Sequence, residues 1–194
     1  EILVAAAVLY GVGVIIARLA FPLPSLDTRS DSKALAASEE TTLGALVARD
    51  QAEHPGKTGV LGISEGHGAL ASRLLLARRA EASIDALYYI WNADTSGRLL
   101  MKALFEAAER GVRVRLLLAD NGTEGLDDTL AALAKLSSFE VRLFNPSPVR
   151  NPKFAGYFFD FFRMNRRMHN KAFIVDGAVA IVGGRNIADE YFQL

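Results

Sequence analysis

The sequence has no cysteine, and it has only three histidines and one tryptophan among 194 residues. The lack of cysteine excludes disulfide scaffolds, thiolate metal sites and thiol nucleophiles. Charge of one sign is not in excess either, because 22 Lys and Arg residues balance 22 Asp and Glu residues. The chain as a whole therefore does not attract nucleic acid or an anionic membrane, and any anion site must come from a local arrangement. A hydrophobic content of 51% predicts a folded chain with a packed core.

One long apolar run is present, at residues 2–21, and its charged residue is Arg18, near its end. About 20 helical residues reach roughly 30 Å, which is the thickness of a bilayer hydrocarbon core. We therefore predict that residues 1–21 form a transmembrane anchor or signal-like helix, with Arg18 extending towards the interface. A cleaved signal peptide and a soluble core helix are the alternatives. Charges after the helix balance, so its orientation in the membrane is not determined.

The remaining chain predicts a linker over residues 22–40 and one folded unit over residues 41–194. Helices are predicted at 41–53, 68–81, 98–110 and 126–136, and strands at 59–63, 84–91, 112–119 and 139–144. This alternation predicts an α/β fold with a mostly parallel sheet. Residues 146–168 are rich in aromatic and basic side chains and have no clean period, so we expect a long functional loop. A β-hairpin is predicted around Asp176-Gly177.

The chemistry-bearing residues lie on this hairpin and beside it. His169 and Lys171 are two residues apart, a spacing that places both side chains on one face of a strand. Gly183 and Gly184 follow the second strand, where backbone N–H groups can approach an anion, and Asn186 adds an amide donor. This combination predicts a phosphate site that contains a nucleophile.

These residues, with Asp176, match the pattern HxKx4Dx6GGxN at each of its six specified positions. The pattern is the HKD motif of the phospholipase D superfamily, and the chain resembles this family. Segments such as YYIWNADTSGRLL and NRRMHNKAFIVDGAVAIVGGRNIADEYF are similar, more narrowly, to the N-terminal half of bacterial cardiolipin synthases. The resemblance implies a phospholipase D-like α/β/α sandwich, which would be the first of two catalytic halves.

The resemblance also implies a mechanism and its residues. His169 would attack a phosphodiester and form a phosphohistidine, while Lys171 and Asn186 hold the non-bridging oxygens in place of a metal cofactor. Gly183 and Gly184 would complete the phosphate site. Asp176 is expected to support the site, although the sequence does not assign its partner. The resemblance leaves open which of the two motif histidines attacks phosphorus.

Family members carry two such motifs, whereas neither His54 nor His67 begins a second one. We therefore expect the chain to be cut short after its first half, with the second half supplied by the same chain or by a homodimer. The implied function is phosphatidyl transfer between phospholipids at the bacterial inner membrane. Phosphatidylglycerol is the expected substrate and phosphatidylethanolamine a candidate co-substrate, and the anchor disfavours nucleic acid. The alternatives are a phospholipase D or nuclease, and a non-catalytic single-motif phospholipid-binding protein.

Two further patterns allow other interpretations. The stretch 150–186 has seven cations against two carboxylates and several interleaved aromatic residues, which fits a lipid headgroup interface, a nucleic-acid groove or a solvated basic face. Residues 62–66 match G-x-S-x-G, which would make Ser64 the nucleophile of a hydrolase. We do not favour Ser64, because His169 belongs to a far more specific pattern. Ser64 is then expected to begin the helix that follows.

Overall fold

The computed structural model describes residues 1–27 and 29–194 of the chain. The helices are α1 (Ile2–Ala20), α2 (Thr42–Glu53), α3 (Gly66–Arg79), α4 (Thr95–Glu109), α5 (Asp127–Leu133), α6 (Tyr157–Met164) and α7 (Asp189–Phe192). The strands are β1 (Ser83–Tyr88), β2 (Arg113–Ala119), β3 (Phe139–Phe144), β4 (Ala172–Val175) and β5 (Val179–Val182). Short 3-10 turns follow β2 at Asp120–Gly122 and precede α6 at Lys153–Gly156.

The five strands form one mixed sheet in the order β3-β2-β1-β4-β5. The first three strands are parallel, and β4 runs antiparallel to β1 and to β5. Ala172 at the start of β4 pairs with Leu87 near the end of β1, and with Val182 at the end of β5. One edge of the sheet therefore collects the carboxyl ends of β1, β2, β3 and β5 together with the start of β4. The α/β class expected from the sequence is confirmed.

Alternation along the strands separates a buried face from a more polar one. Ile84, Ala86 and Tyr88 of β1 lie in the main core, together with apolar residues of α3, α4 and β2. On the opposite face Arg115 of β2 donates two hydrogen bonds to Asp85 of β1, at 2.5 and 2.7 Å. The sheet is therefore packed by helices on the first face and is held by paired charges on the second.

Local sequence signals explain where the helices begin and end. Thr41 caps α2 by accepting a hydrogen bond from the Gly44 N–H at 3.1 Å, and Asp94 caps α4 by accepting one from Gly97 at 3.0 Å. The cap at Asp94 starts α4 three residues earlier than predicted. Gly111, with φ of +89°, ends the turn after α4, where an L-residue would be strained.

Two predicted elements differ from the structure. Residues 59–63 form no strand, and Val60 and Leu61 are 91% and 85% exposed, because this short apolar run pairs with neither edge of the sheet. The segment 146–168 is not one long loop, since it contains a 3-10 turn and α6. Phe158, Phe161 and Phe162 have the i, i+3, i+4 spacing of a helix, which the surrounding aromatic residues obscure in the sequence, although α6 is kinked at Asp160, whose φ of −136° and ψ of 35° are not helical.

Candidate active site

His169 and Lys171 come together at the edge of the sheet where β4 begins. The imidazole of His169 is exposed and lies 5.1 Å, centroid to centroid, from the ring of Tyr89. The Nζ of Lys171 lies 5.4 Å from the centre of the same ring and donates a hydrogen bond to the carbonyl of His169 at 2.9 Å. The Tyr89 ring is thus the surface on which both side chains rest.

Lys171 is 7% exposed, although its ammonium packs on the same ring as the accessible imidazole. Burial lowers the pKa of Lys171 below its ordinary value, and the nearby Tyr89 partly offsets this shift. An ammonium desolvated in this way interacts more strongly with an anion than one in open water. Lys171 is therefore suited to bind a phosphate oxygen beside His169.

The backbone after β1 is clamped at every residue from Ile90 to Asn92. The Ile90 N–H donates to Oδ1 of Asn186 at 3.1 Å, and the Trp91 N–H donates to the Gly122 carbonyl at 2.9 Å. Asn92 and Ile187 continue this contact, since the Asn92 N–H donates to the Ile187 carbonyl. Tyr89 therefore projects from a rigid segment, which fixes the ring that supports His169 and Lys171.

Both polar atoms of the Asn186 side chain already form hydrogen bonds within the protein. It is 3% exposed, and its Nδ2 donates to the Tyr191 hydroxyl at 3.1 Å while its Oδ1 holds Ile90. One of the two Nδ2 hydrogens is occupied in this way, so the amide retains a second donor. Gly183 and Gly184 are exposed, and a Cβ at either position would meet open space. Their N–H groups follow β5, at the same sheet edge as His169.

Asp176 lies at the opposite end of β4 from His169. Its carboxylate is 1% exposed and accepts hydrogen bonds from the N–H groups of Glu81, Ala82 and Ser83, at 2.8 to 3.2 Å. Asp176 and Gly177 have φ of +52° and +64°, as the tight turn between β4 and β5 requires. The partner that the sequence left unassigned is the backbone that leads into β1, so Asp176 supports the sheet on which the site is built.

Some cations of the basic stretch, residues 150–186, form ion pairs within the protein and others do not. Arg150 donates to both oxygens of Asp120, at 2.8 and 2.9 Å, and Lys153 donates to Oδ1 of the same carboxylate at 3.1 Å. Arg163 pairs with Asp160, and Arg185 donates to two backbone carbonyls. Within residues 1–27 and 29–194, the stretch's cations that form no ion pair are Arg166, Arg167, Lys171 and Arg185. Only part of the basic stretch is thus available to an anionic ligand.

Asp120 is the buried charge whose importance the sequence did not reveal. It is 1% exposed at the end of β2, and the Ser147 N–H also donates to it, at 2.7 Å. Burial by itself would raise the pKa of Asp120, but the bonds from Arg150 and Ser147 and the charge of Lys153 lower it below its ordinary value. Asp120 therefore ties residues 147–153 to the sheet edge, and the turn composition of Asp120-Asn121-Gly122 gave no sign of it.

Other candidates lie outside this arrangement. His54 and His67 are exposed on or beside helices. Ser64 precedes α3 instead of starting it, and its carbonyl accepts a hydrogen bond from Arg185. Among the described residues, no group of three His, Asp or Glu side chains is placed to hold a metal ion.

Residues 75–194 match the family model described as "Cardiolipin synthase, PLD-like domain". The chain belongs to this phospholipase D-like family. It is 56% identical over 140 residues to cardiolipin synthase C of Escherichia coli, a match that covers 72% of this chain and 30% of the relative. An uncharacterized protein of Helicobacter pylori is 42% identical over 156 residues, covering 79% and 31%, and a cardiolipin synthase of Geobacillus kaustophilus is 35% identical over 129 residues, covering 66% and 24%.

The chain thus spans less than a third of the length of these curated relatives. The matched region includes His169, Lys171 and Asp176, together with Tyr89 and the clamped segment 90–92 that follows it. The resemblance to the phospholipase D superfamily that the HKD motif predicted is confirmed.

Proposed function

We propose that the intact protein is a phosphatidyltransferase of the cardiolipin synthase type. The observation that carries this proposal is the pairing of an exposed His169 with the desolvated cation of Lys171 on Tyr89, in a domain of the cardiolipin synthase family. The identity of 56% to cardiolipin synthase C of Escherichia coli supports phospholipids as the substrate class. Phosphatidylglycerol is the expected phosphatidyl donor or acceptor, with phosphatidylethanolamine as a candidate co-substrate.

In the proposed first step, an imidazole nitrogen of His169 attacks the phosphorus of a phosphodiester. The N–P bond forms as the P–O bond to the leaving alcohol breaks, and a second histidine protonates that alcohol. Lys171 stabilises the charge that grows on the non-bridging oxygens, and the free Nδ2 hydrogen of Asn186 and the N–H groups of Gly183 and Gly184 are the further candidate donors. Asp176 contributes by holding the sheet and does not touch the phosphate.

In the second step, the hydroxyl group of an acceptor lipid attacks the phosphohistidine. The N–P bond breaks as the new P–O bond forms, the acceptor's proton passes to the second histidine, and His169 is regenerated. The second histidine is proposed to come from a further HKD half, in the same chain or in a second copy of it. The much greater length of the relatives supports the first source.

We also propose that α1 anchors the protein in the bacterial inner membrane. The helix has 19 residues and a mean hydropathy of 2.3, and it is long enough to span a bilayer. Its side chains bind the folded unit, because Tyr10 donates to the Phe158 carbonyl at 2.9 Å and Arg18 to that of Phe159 at 3.1 Å. These contacts favour a retained anchor over a cleaved signal peptide.

Lipid mass spectrometry of cells that lack other cardiolipin synthases tests the proposal. The full-length protein should produce cardiolipin, the His169→Ala variant should produce none, and the His54→Ala variant should match the unaltered protein because His54 is an exposed histidine outside the motif. Phosphatidic acid without cardiolipin would show that the protein hydrolyses phospholipids and does not transfer phosphatidyl groups. Unchanged lipids with all three proteins would reject a lipid-active enzyme and favour the nuclease or non-catalytic alternatives.

A further inference from the structure

Helix α6 carries an exposed row of phenyl rings directly beside the apolar helix α1. Phe158, Phe161 and Phe162 are 68%, 52% and 86% exposed, and Phe154 before the helix is 64% exposed. Water-exposed phenyl rings clustered in this way mark a surface that another apolar phase covers. The question is what covers this one.

The contacts between α1 and α6 indicate the answer. Tyr10 and Arg18 reach the backbone of Phe158 and Phe159 from two levels of α1, and the ring of Phe21 stacks on that of Phe159 with centroids 6.2 Å apart. The α1 residues that the described part of the chain partly covers are Gly11, Val14 and Ala17, on one side of the helix. The remaining sides of α1 are as exposed as the rings of α6, so the two helices share one apolar surface.

The position of α6 along α1 determines how deep α6 would lie in a bilayer that α1 spans. Val14, midway between Tyr10 and Arg18, lies six residues before Ala20, or about 9 Å from the end of α1. Amphipathic helices at a membrane surface lie with their apolar face about 5–10 Å into the boundary between headgroups and acyl chains. A helix held at the level of Val14 therefore lies at the depth of an interfacial helix when α1 spans the bilayer.

The polar groups of α6 are paired in a way that suits this environment. The carboxylate of Asp160 pairs with Arg163 and lies 3.8 Å from a guanidinium nitrogen of Arg18. Arg163 also donates to the Pro146 carbonyl, and Asn145 donates to the carbonyls of Arg163 and Arg166. These bonds turn the polar side of α6 towards the end of β3 and leave the phenyl rings outward.

The same segment leads to the candidate active site. His169 lies five positions after Met164, the last residue of α6, so their Cα atoms are at most about 18 Å apart. Arg166 is exposed between them, and Arg167 donates to the Tyr89 hydroxyl at 3.0 Å. Cations at this position face the level of lipid phosphates if the rings before them lie among the upper acyl chains.

We propose that α6 is an interfacial membrane helix, which inserts Phe158, Phe161 and Phe162 into an anionic bilayer beside α1 and holds the His169 edge at the phosphate plane. The inference rests on α1 spanning that bilayer, as proposed above, and does not depend on the chemistry at His169. It assigns to the aromatic and basic segment a specific partner, the lipid surface.

Tryptophan fluorescence in vesicles tests the inference. The full-length protein is reconstituted into phosphatidylcholine and phosphatidylglycerol vesicles with Phe162→Trp or, separately, Phe158→Trp, and is compared in lipids brominated on the upper acyl chain. The unaltered protein supplies the background, since Trp91 is 1% exposed. We expect both introduced tryptophans to emit at shorter wavelength and to lose at least half of their emission to the brominated lipid.

Leu75→Trp is the matched control. Leu75 is 57% exposed on α3, which packs against α4, α7 and β4, and its tryptophan should keep its full emission. Unquenched emission from both α6 variants in vesicle-bound protein would overturn the proposal. A blue-shifted but unquenched signal would overturn it too, because a protein surface would then cover α6. Quenching without cardiolipin production would reject only the proposed function, and cardiolipin production without quenching would reject only the interfacial helix.

Discussion

Tyr89 is the residue through which the two candidate catalytic side chains are placed. Its ring contacts His169 and Lys171, and its hydroxyl accepts a hydrogen bond from Arg167 at 3.0 Å. Cation–π contacts of this kind contribute roughly 0.5–2 kcal/mol, depending on desolvation. The contacts that place the two side chains are those with the Tyr89 ring and, for the ammonium, the hydrogen bond to the His169 carbonyl.

Substitutions at Tyr89 should distinguish the contribution of its ring to the transfer rate from that of its hydroxyl. Tyr89→Phe keeps the ring and should retain most of the transfer rate, whereas Tyr89→Leu removes it and should lower the rate roughly tenfold, corresponding to about 1.4 kcal/mol of lost positioning. Cardiolipin production by equal amounts of folded full-length protein measures both rates. A Leu variant as active as the Phe variant would show that the ring positions nothing.

Asp176 belongs to the motif but has a structural role, because its carboxylate binds the backbone before β1. Replacing Asp176 by Ala would leave the N–H groups of Glu81, Ala82 and Ser83 without their acceptor, and because only Ser83 is buried, we expect a cost of about 1–3 kcal/mol in the free energy of unfolding. Asp176→Asn keeps one acceptor oxygen and tolerates the positive φ, so it should cost less. Denaturant unfolding measures the free energy of unfolding of both variants and should rank Asp176→Ala as the less stable. An Asp176→Ala protein as stable as the unaltered one would contradict the role assigned to the carboxylate.

At the level of elements, the turn after β2 approaches the segment after β1 so closely that only glycine fits. A Cβ on Gly122 would overlap the carbonyl oxygen of Tyr89. Gly122→Ala should therefore displace Tyr89, destabilise the fold by roughly 1–3 kcal/mol and lower the transfer rate.

Gly68 provides the matched control, since a Cβ there would meet only ordinary contacts, at 3.8 Å with Glu65 and 3.9 Å with Ile63, both just before α3. Gly68→Ala should stabilise the protein by about 0.5–1 kcal/mol, because alanine loses less backbone entropy in a helix. Thermal unfolding of both variants tests the pair. A Gly122→Ala protein as stable as the unaltered one would mean that the turn can move away from Tyr89.

Over the whole molecule, paired carboxylates couple stability to acid. Bonds from the Thr42 backbone and side chain lower the pKa of Glu81, and the Ser96 N–H is the main cause of the lowered pKa of Asp189. Burial opposes the shift at Asp120 and Asp127, but hydrogen bonds from Arg150 lead those that lower both pKa values. A carboxyl with a lowered pKa in the fold stabilises it above its unfolded value, near pH 4, and this stability is lost as pH falls through the folded value.

We therefore expect the free energy of unfolding to be level at neutral pH and to fall below about pH 4. Asp120→Asn should destabilise the protein by roughly 3 kcal/mol at pH 7 and flatten this fall, because it leaves Arg150 and Lys153 short of their partner. Asp50→Asn, at a side chain 71% exposed, should change neither quantity. Urea unfolding between pH 3 and 7 measures both, and an Asp120→Asn profile parallel to the unaltered one would contradict the prediction.

Local sequence patterns were enough to establish the α/β class, the hairpin at Asp176-Gly177, the apolar helix and the family, because these depend on periodicity, turn chemistry and a fixed spacing. They also predicted that His169 and Lys171 share one face of a strand, whereas both residues precede β4 and are brought together by the Tyr89 ring. The folded chain was needed to show that Tyr89 supports them and that Asp176 binds the backbone before β1, contacts that join residues about 80 to 95 positions apart. Such contacts depend on how strands from distant parts of the chain are ordered in the sheet, and no local pattern records that order.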